Sequence, residues 1–321
     1  MPESILSLLS GNDAFISGQE ISAGLGITRA AVWKKILGLR NKGYVIEAVP
    51  SKGYRLISAP DLAPEYLLLR IQSSLWQALI VHDSVESTND LAMSLASRKG
   101  ISSGTVLIAD RQIRGKGRLG RKWESPEGRN IYMSLVIRPE LAPRDVTMLT
   151  VLAAVAGAHA IQKTAVVPVR IKWPNDLVVS DRKLGGILTE VRADPDRINL
   201  AVIGIGVNVN MLSADFSEEI RSLATSVRLA TGHPVSRNEL IIRMLKEFEH
   251  WYGILIAEGK RPLLDAWRKN SSTLGRHVRV AMADQTLAGV AEDIDDNGML
   301  ILKMRTGERR NISAGDITFL R

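Results

Sequence analysis

From Arg170 to Asn208 the chain offers four strand-like runs in succession. They are Arg170–Trp173, Leu177–Val179, Gly186–Arg192 and Asn199–Asn208, and no helical pattern separates them. Parallel neighbours need a crossover of a dozen or more residues, usually a helix, whereas antiparallel neighbours need only a turn. This succession favours a mixed α+β sheet over a doubly wound parallel one. Upstream runs at Leu79–His82, Thr105–Ala109 and Ile131–Ile137 extend the same sheet, and helices are expected at Asn89–Lys99, Val146–Ala160 and Arg237–Glu258.

The flanks read differently. Ser17 caps a helix carrying Ile21 and Leu25, with Glu20 three residues on as a capping box. Gly26 breaks that helix and Thr28 caps the next. There Val32, Ile36 and Leu39 recur at i, i+4 and i+7, leaving Arg29, Ala30, Trp33 and Lys34 on another face. Strands Tyr44–Val49 and Tyr54–Ile57, joined by Pro50-Ser51-Lys52-Gly53, add a hairpin with Lys52 at its tip and Arg55 beyond it. This is the pattern of a winged helix-turn-helix over Gly18–Leu37, a DNA-binding element. The competing explanation is a small helical domain used for packing or protein contact. Ala59-Pro60-Asp61-Leu62-Ala63-Pro64 marks a boundary. At the other end, short alternating runs at His277–Met282, Thr286–Asp293, Leu300–Lys303 and Arg310–Ser313 predict an SH3-like β-barrel. The expected domains are 1–61, 62–270 and 271–321.

Cysteine is absent from the 321 residues, which removes disulfides, thiolate nucleophiles and cysteine-ligated metals. Val146–Ile161 is apolar but shorter than the ~20 residues of a membrane span, so it reads as a buried helix. MPESILSLLSGNDAF has no basic n-region. A cytoplasmic protein without membrane association is expected. The net charge of +8 points to an anionic partner. Residues 1–60 hold seven basic side chains against Glu3, Asp13, Glu20 and Glu47, and a second excess lies at Arg111–Lys122.

That second segment, RQIRGKGRLGRK, places six basic and no acidic residues among three glycines. It suits a polyphosphate or phosphoryl ester, whose charge fixed cations stabilise. A solvated or nucleic-acid-binding loop explains it equally well. It is not a P-loop, since Gly115-Lys116-Gly117 lacks the spacing and the hydroxyl. His82, His159, His233, His250 and His277 form no i, i+4 pair. Catalysis here would come from placing charges rather than from a covalent intermediate.

Three further segments concentrate polar groups. Ser87, Thr88 and Asn89 put two hydroxyls and an amide at a helix start, able to donate to and accept from a neutral ligand; one of them would serve as N-cap in any case. In Lys172-Trp173-Pro174-Asn175-Asp176 and the following hairpin, Lys172 and Lys183 can neutralise phosphate or carboxylate. Asn175 and Asp176 can offer oxygens to Mg²⁺, or be ordinary turn residues. Gly204 and Gly206 let a ligand approach the backbone, with Asn208 and Asn210 on one face; a packed strand crossing explains them as well.

Taken together, SxESTN (84–89), RQxxGKGRLGRKW (111–123), KWPND (172–176), RKLGGILxE (182–190) and GxGxNVN (204–210) closely resemble the biotin–protein ligase family. The preceding helices and the KGYRL wing resemble its bifunctional bacterial subclass, which also represses biotin operon transcription. The resemblance covers essentially the whole chain and implies a class II synthetase-like ligase domain. It implies that biotin and ATP form biotinyl-5′-AMP with Mg²⁺, and that biotin then passes to a lysine of biotin carboxyl carrier protein. No tightly bound prosthetic group is implied. It also implies biotin operator DNA as a partner, with the adenylate as corepressor and a homodimer when adenylate is bound.

By motif match, Ser87, Thr88, Asn89 and Gln112 would bind the ureido end of biotin. Gly115, Lys116, Gly117 and Arg118 would close over its carboxylate and the adenylate, with Tyr132, Gly186 and Gly204 in the pocket. Arg118, Arg121, Lys122, Trp123, Asn130, Lys172, Asn175 and Asn208 would hold ATP. Asp176 would be the Mg²⁺ neighbour, and Lys183 with Arg118 would act at the reacting carboxyl. Two departures stand out. The family loop commonly has Arg where Lys116 stands, and Leu119 occupies a spot that is often polar.

Overall fold

The computed structural model describes residues 4–11, 14–98 and 100–320. Glu3, Asp13, Lys99 at the end of an expected helix, and Arg321 lie outside the described residues. The chain separates into two compact units, Met1–Gln72 and Ser73–Arg321.

In the first unit, helix α1 (Ile5–Ser10) precedes α2 (Gly18–Leu25) and α3 (Arg29–Asn41). The local chemistry is as expected. Ser17 and Glu20 form the reciprocal capping box of α2, and Gly26 ends it at φ +62°. Thr28 accepts from the Ala31 N–H to open α3. Ile21, Val32 and Ile36 point inward. Strands β1 (Val45–Val49) and β2 (Gly53–Ser58) pair antiparallel as the wing. Gly53 has φ +108°, and a Cβ there would strike the Ile16 carbonyl, so the wing can lie against Ile16 only with glycine at this position. Helix α4 (Pro64–Ile71) belongs to this unit and buries Tyr66, Leu67 and Ile71.

The second unit begins with β3 (Ala78–Val85), α5 (Thr88–Arg98), β4 (Thr105–Gln112) and β5 (Ile131–Ile137). Helix α6 (Thr147–Ala165) follows, then β6 (Arg170–Lys172), β7 (Asp176–Val179), β8 (Arg182–Ala193) and β9 (Ile198–Val207). These seven strands form one sheet in the order β3-β4-β5-β9-β8-β7-β6. Only β3 and β4 are parallel, joined through α5, while the other neighbours run antiparallel. The sheet is mixed, as the helix-free succession of strands requires.

Short helices α7 (Glu218–Arg221) and α8 (Val227–Thr231) lead to α9 (Arg237–Glu258) and α10 (Lys260–Asn270). Helix α6 runs further than the expected Val146–Ala160. It is long and apolar enough to cross a membrane by length and composition, yet it is packed inside the protein and buries residues on all sides, from Met148 to Ile161. Such all-round apolarity is that of a core helix.

Strands β10 (His277–Ala281), β11 (Thr286–Ile294), β12 (Leu300–Lys303), β13 (Arg309–Ile312) and β14 (Asp316–Phe319) form an antiparallel sheet in the order β13-β12-β11-β10-β14. The fifth strand and α10 carry no separate expectation above. Among the described residues β13 and β14 each pair with one neighbour, which shows a small antiparallel sheet.

Candidate active site

A cavity of about 370 Å³ opens at one end of the seven-stranded sheet. Its floor is the cross-strand pair Gly186–Gly206 on β8 and β9. Side chains on both strands would fill this space, and here the Trp123 indole lies in it: a Cβ on Gly206 would come within 2.8 Å of the ring. The neighbouring Gly204 makes room in the same way for the Asn89 amide. Both glycines thus admit a side chain close to the backbone.

One wall is neutral and polar. The Ser87 hydroxyl accepts from the Asp90 N–H at the start of α5. Gln112 Oε1 accepts from the Thr88 N–H (2.9 Å) and hydroxyl (3.1 Å). Gln112 Nε2 donates to the Ser125 hydroxyl, which donates to the Trp123 carbonyl. Ser134 Oγ lies 2.8 Å from Thr88 Oγ1 and 2.6 Å from Asn89 Oδ1, one hydrogen between two acceptors. Asn89 Nδ2 donates to Glu190 and to the Leu188 carbonyl. This network holds more acceptor lone pairs than hydrogens, so it suits a neutral ligand that brings N–H donors. Tyr132 closes this side with its hydroxyl on the Pro126 carbonyl. Burial raises the pKa of its phenol, so it stays neutral.

The opposite wall is cationic. The glycine-rich segment between β4 and β5 folds into a small hairpin, with Gly117 N–H on the Arg121 carbonyl and Trp123 N–H on the Gly115 carbonyl. Lys116 pairs with Asp90 at 2.7 Å. Arg118 donates to Asn175 Oδ1 (3.2 Å) and the Gly315 carbonyl (3.4 Å), and Arg121 pairs with Asp316. Lys183 lies 2.6 Å from Asp176 Oδ1 and 5.5 Å from the Trp123 ring centre. The Trp173–Pro174 peptide is cis. The Asn175 amide donates to the Ile187 carbonyl, turning its oxygen to Arg118. Burial lowers the pKa of Lys172, against the attraction of Asp176, and the charge of Lys183 adds to the lowering.

Every residue singled out above for the ligand site lines this cavity except Gly115, Asn130 and Asn210, whose amide is tied to the Val235 backbone. Gly115 sits behind the wall, where a Cβ would strike the Trp123 carbonyl. Asn130 is fully buried: its oxygen accepts from the Val209 N–H and its amide faces the Met211 sulfur.

Sequence reasoning missed other members. Met211, Phe216, Ile220, Leu223 and Ala224 form an apolar side of the cavity. This segment is tied to Lys183, whose N–H donates to the Leu223 carbonyl and whose carbonyl accepts from the Thr225 N–H. Ser134 and Glu190, which hold Thr88 and Asn89 from behind the cavity wall, were hidden inside strands, where their alternation resembles any packed position. Asp316 and Ile317 reach the cavity from the C-terminal sheet, far away in sequence.

The first unit offers a separate surface. Arg29, Ala30, Trp33, Lys34 and Lys35 face solvent along α3, with Trp33 60% exposed. Lys52 stands exposed at the wing tip. Arg55 turns back instead: it pairs with Glu47 at 2.7 Å and lies over the Phe15 ring.

A cavity with one neutral polar wall and one cationic wall is what a cofactor-activating ligase needs, and the chain matches that class by sequence. Residues 81–210 match the biotin/lipoate A/B protein ligase family, 3–55 an HTH domain, and 273–320 the biotin protein ligase C-terminal domain. It is 40% identical to the bifunctional ligase/repressor BirA of Bacillus subtilis over 307 residues, 95% of this chain and 94% of that one. Against the protein of the same description from Escherichia coli it is 32% identical over 308 residues, covering 94% and 92%. The solved biotin protein ligase from Aquifex aeolicus in complex with biotin and ATP superposes with a TM-score of 0.67 at 27% identity, covering 77% of this chain and 100% of that one. The chain belongs to the biotin protein ligase family, among its bifunctional ligase/repressors.

Proposed function

We propose that this protein joins biotin to ATP as biotinyl-5′-AMP, releasing pyrophosphate. It then passes the biotinyl group to the ε-amine of a lysine on a biotin carboxyl carrier protein, with AMP leaving. The observation that carries this reading is the pairing of the neutral network around Thr88 and Gln112 with the cationic wall around Arg118 and Lys183, in one cavity.

The chemistry follows from that pairing. The ureido N–H groups of biotin would meet the surplus acceptors of Ser87, Thr88, Asn89 and Gln112. Its carboxylate would then extend towards Lys183. Attack of a carboxylate oxygen on the α-phosphorus brings two anions together, and Lys183, Arg118, Lys116, Arg121, Lys122 and Lys172 offset that repulsion where it is greatest. Adenine would lie between the Trp123 ring and the apolar side at Met211, Phe216 and Leu223, with Asn175 and Asn208 beside the phosphates. The mixed anhydride must be kept from water until the acceptor amine arrives. The hairpin of Gly115–Lys122 is the part of the cavity able to cover it.

Mg²⁺ would travel with ATP. Among the described residues no cluster of three or more His, Cys, Asp or Glu side chains could hold a metal. A Mg²⁺ ion bound by one carboxylate and substrate phosphates needs no such cluster. Asp176 fits that part, since its buried Oδ1 has no aligned hydrogen bond, only the ion pair with Lys183. The ion would supply further neutralisation of the phosphates.

We read the first unit as a DNA-binding repressor head, with α3 in the major groove, the wing beside it and biotin operator DNA as its target. Dimerisation in the adenylate-bound state belongs to the same reading, because operator half-sites are usually read by paired heads. The C-terminal sheet, with Val278, Val280, Leu300, Leu302 and Ile317 buried on alternate positions, is read as SH3-like and the central sheet as class II synthetase-like. A cytoplasmic location suits both roles.

Biotin-dependent ATP–pyrophosphate exchange tests the first step, and mass spectrometry of a carrier domain after incubation with biotin, Mg²⁺ and ATP tests the second. Exchange supported by lipoate instead of biotin would overturn the choice of substrate. No exchange with either acid would overturn the ligase reading.

A further inference from the structure

The last strand touches the cavity at Asp316 and Ile317, and it makes one more contact beyond them. The ammonium of Lys172 lies over the Phe319 ring, 4.9 Å from its centre. The Arg276 guanidinium lies over the same ring at 3.4 Å. Arg276 also donates to Asp181 Oδ1 at 2.8 Å, in the turn just before Lys183. Phe319 is only partly buried, unlike its neighbour Ile317 at 6% exposure, so filling the sheet's core does not account for it.

We propose that Phe319 is a positioning residue for the nucleotide half of the site, its ring face holding the Lys172 ammonium in the cavity where the ATP phosphates would bind. The inference rests on the ligase reading above. Lysine carries four rotatable bonds, and a free side chain would lose much of its rotamer entropy on ordering around a ligand. Lys183, Lys116 and Arg121 are ordered by carboxylates, which also neutralise them. Asp176, the carboxylate that acts most strongly on Lys172, is itself held by Lys183 at 2.6 Å. An aromatic face attracts a cation through its quadrupole without cancelling the charge. Phosphate therefore finds Lys172 both placed and unneutralised. Burial already lowers the pKa of that ammonium, so it gains from an incoming anion.

The test uses the full chain and the non-transferable analogue α,β-methylene-ATP, whose affinity calorimetry reads without turnover. Phe319→Leu should weaken the analogue about three- to tenfold, and biotin affinity should stay within about twofold. Phe319→Met, which keeps volume but no ring, should match the leucine variant and stands in for it should that one fail to fold. Phe319→Tyr should match the unmodified chain. In a Lys172→Ala background, Phe319→Leu should have no further effect. Unchanged analogue affinity in Phe319→Leu overturns the proposal, and so does an equal loss with Lys172 already removed. An unmodified chain lacking biotin-dependent exchange defeats the ligase reading itself, and this inference with it.

Discussion

On α3 the cations Arg29, Lys34 and Lys35 stand in solvent, whereas four of the six around the cavity are already engaged: Lys116 with Asp90, Arg118 with Asn175, Arg121 with Asp316 and Lys183 with Asp176. The difference follows from what each surface has to hold. Exposed like charges a few ångströms apart repel only weakly in water, and counterions screen them. Cations gathered around one cavity repel one another more strongly, and the protein supplies oxygens of its own to four of them. Ligand phosphates then exchange partners with carboxylates rather than displacing salt. The helix surface should show strong salt dependence and the cavity little.

The sharpest way to break this contrast is at Lys183. Lys183→Ala should lower the rate of biotin-dependent exchange by about a hundredfold or more, while leaving the salt dependence of DNA binding unchanged. A parallel loss of DNA affinity without ligand would mean the two basic surfaces are not independent. Arg118→Gly should cost less in the first step but let the anhydride escape. Labelling of bystander proteins, followed by streptavidin blotting, should appear with the variant, and labelling confined to the carrier lysine would refute this account of the hairpin.

Gly204→Ala separates the two walls. The added methyl displaces Asn89, so the KM for biotin should rise about tenfold and the KM for ATP should hardly move. Equal effects on both would show that the walls act as one unit. On α3, Arg29→Ala and Lys34→Ala should each flatten the plot of log K against log salt by about one unit. Arg55→Ala should not, because that side chain already pairs with Glu47.

An effect confined to alkaline pH concerns Tyr44 in the first unit, whose pKa is pushed up to about 12 by burial and the charge of Glu65. The unfolded phenol titrates near ~10. Between these values the unfolded chain sheds a proton the folded one keeps, so stability falls as pH rises from 10 to 12 and is unaffected by this group below. Tyr44→Phe should remove a slope amounting to about 2 kcal/mol across that window, read from the pH dependence of the full chain's thermal transitions.

Legibility of the sequence followed the range of the interactions involved. The caps of α2 and α3, the bounds of α9 and the order of polar segments were all readable, because each depends on residues within a few positions. The apolar side at Met211–Ala224 was not, since its helix is a single turn and has no period to detect. Helix α10 was masked by Pro262 and by the glycine before it, although proline is tolerated in a first turn. The roles of Ser134, Glu190 and Asp316 depend on partners from 45 to 195 residues away. Gly204 and Gly206 were read as openings for a ligand, and the structure adds that Asn89 and Trp123 stand in those openings.

That last arrangement has an optical consequence. The Trp123 indole lies half-buried on its glycine floor, with a buried N–H that has no hydrogen-bond partner. Indole emission shifts with the polarity around the ring and is quenched by stacking against a purine. The protein thus carries its own fluorophore at the point where a nucleotide base would settle, and Trp123→Phe identifies which part of the signal of its six tryptophans comes from there.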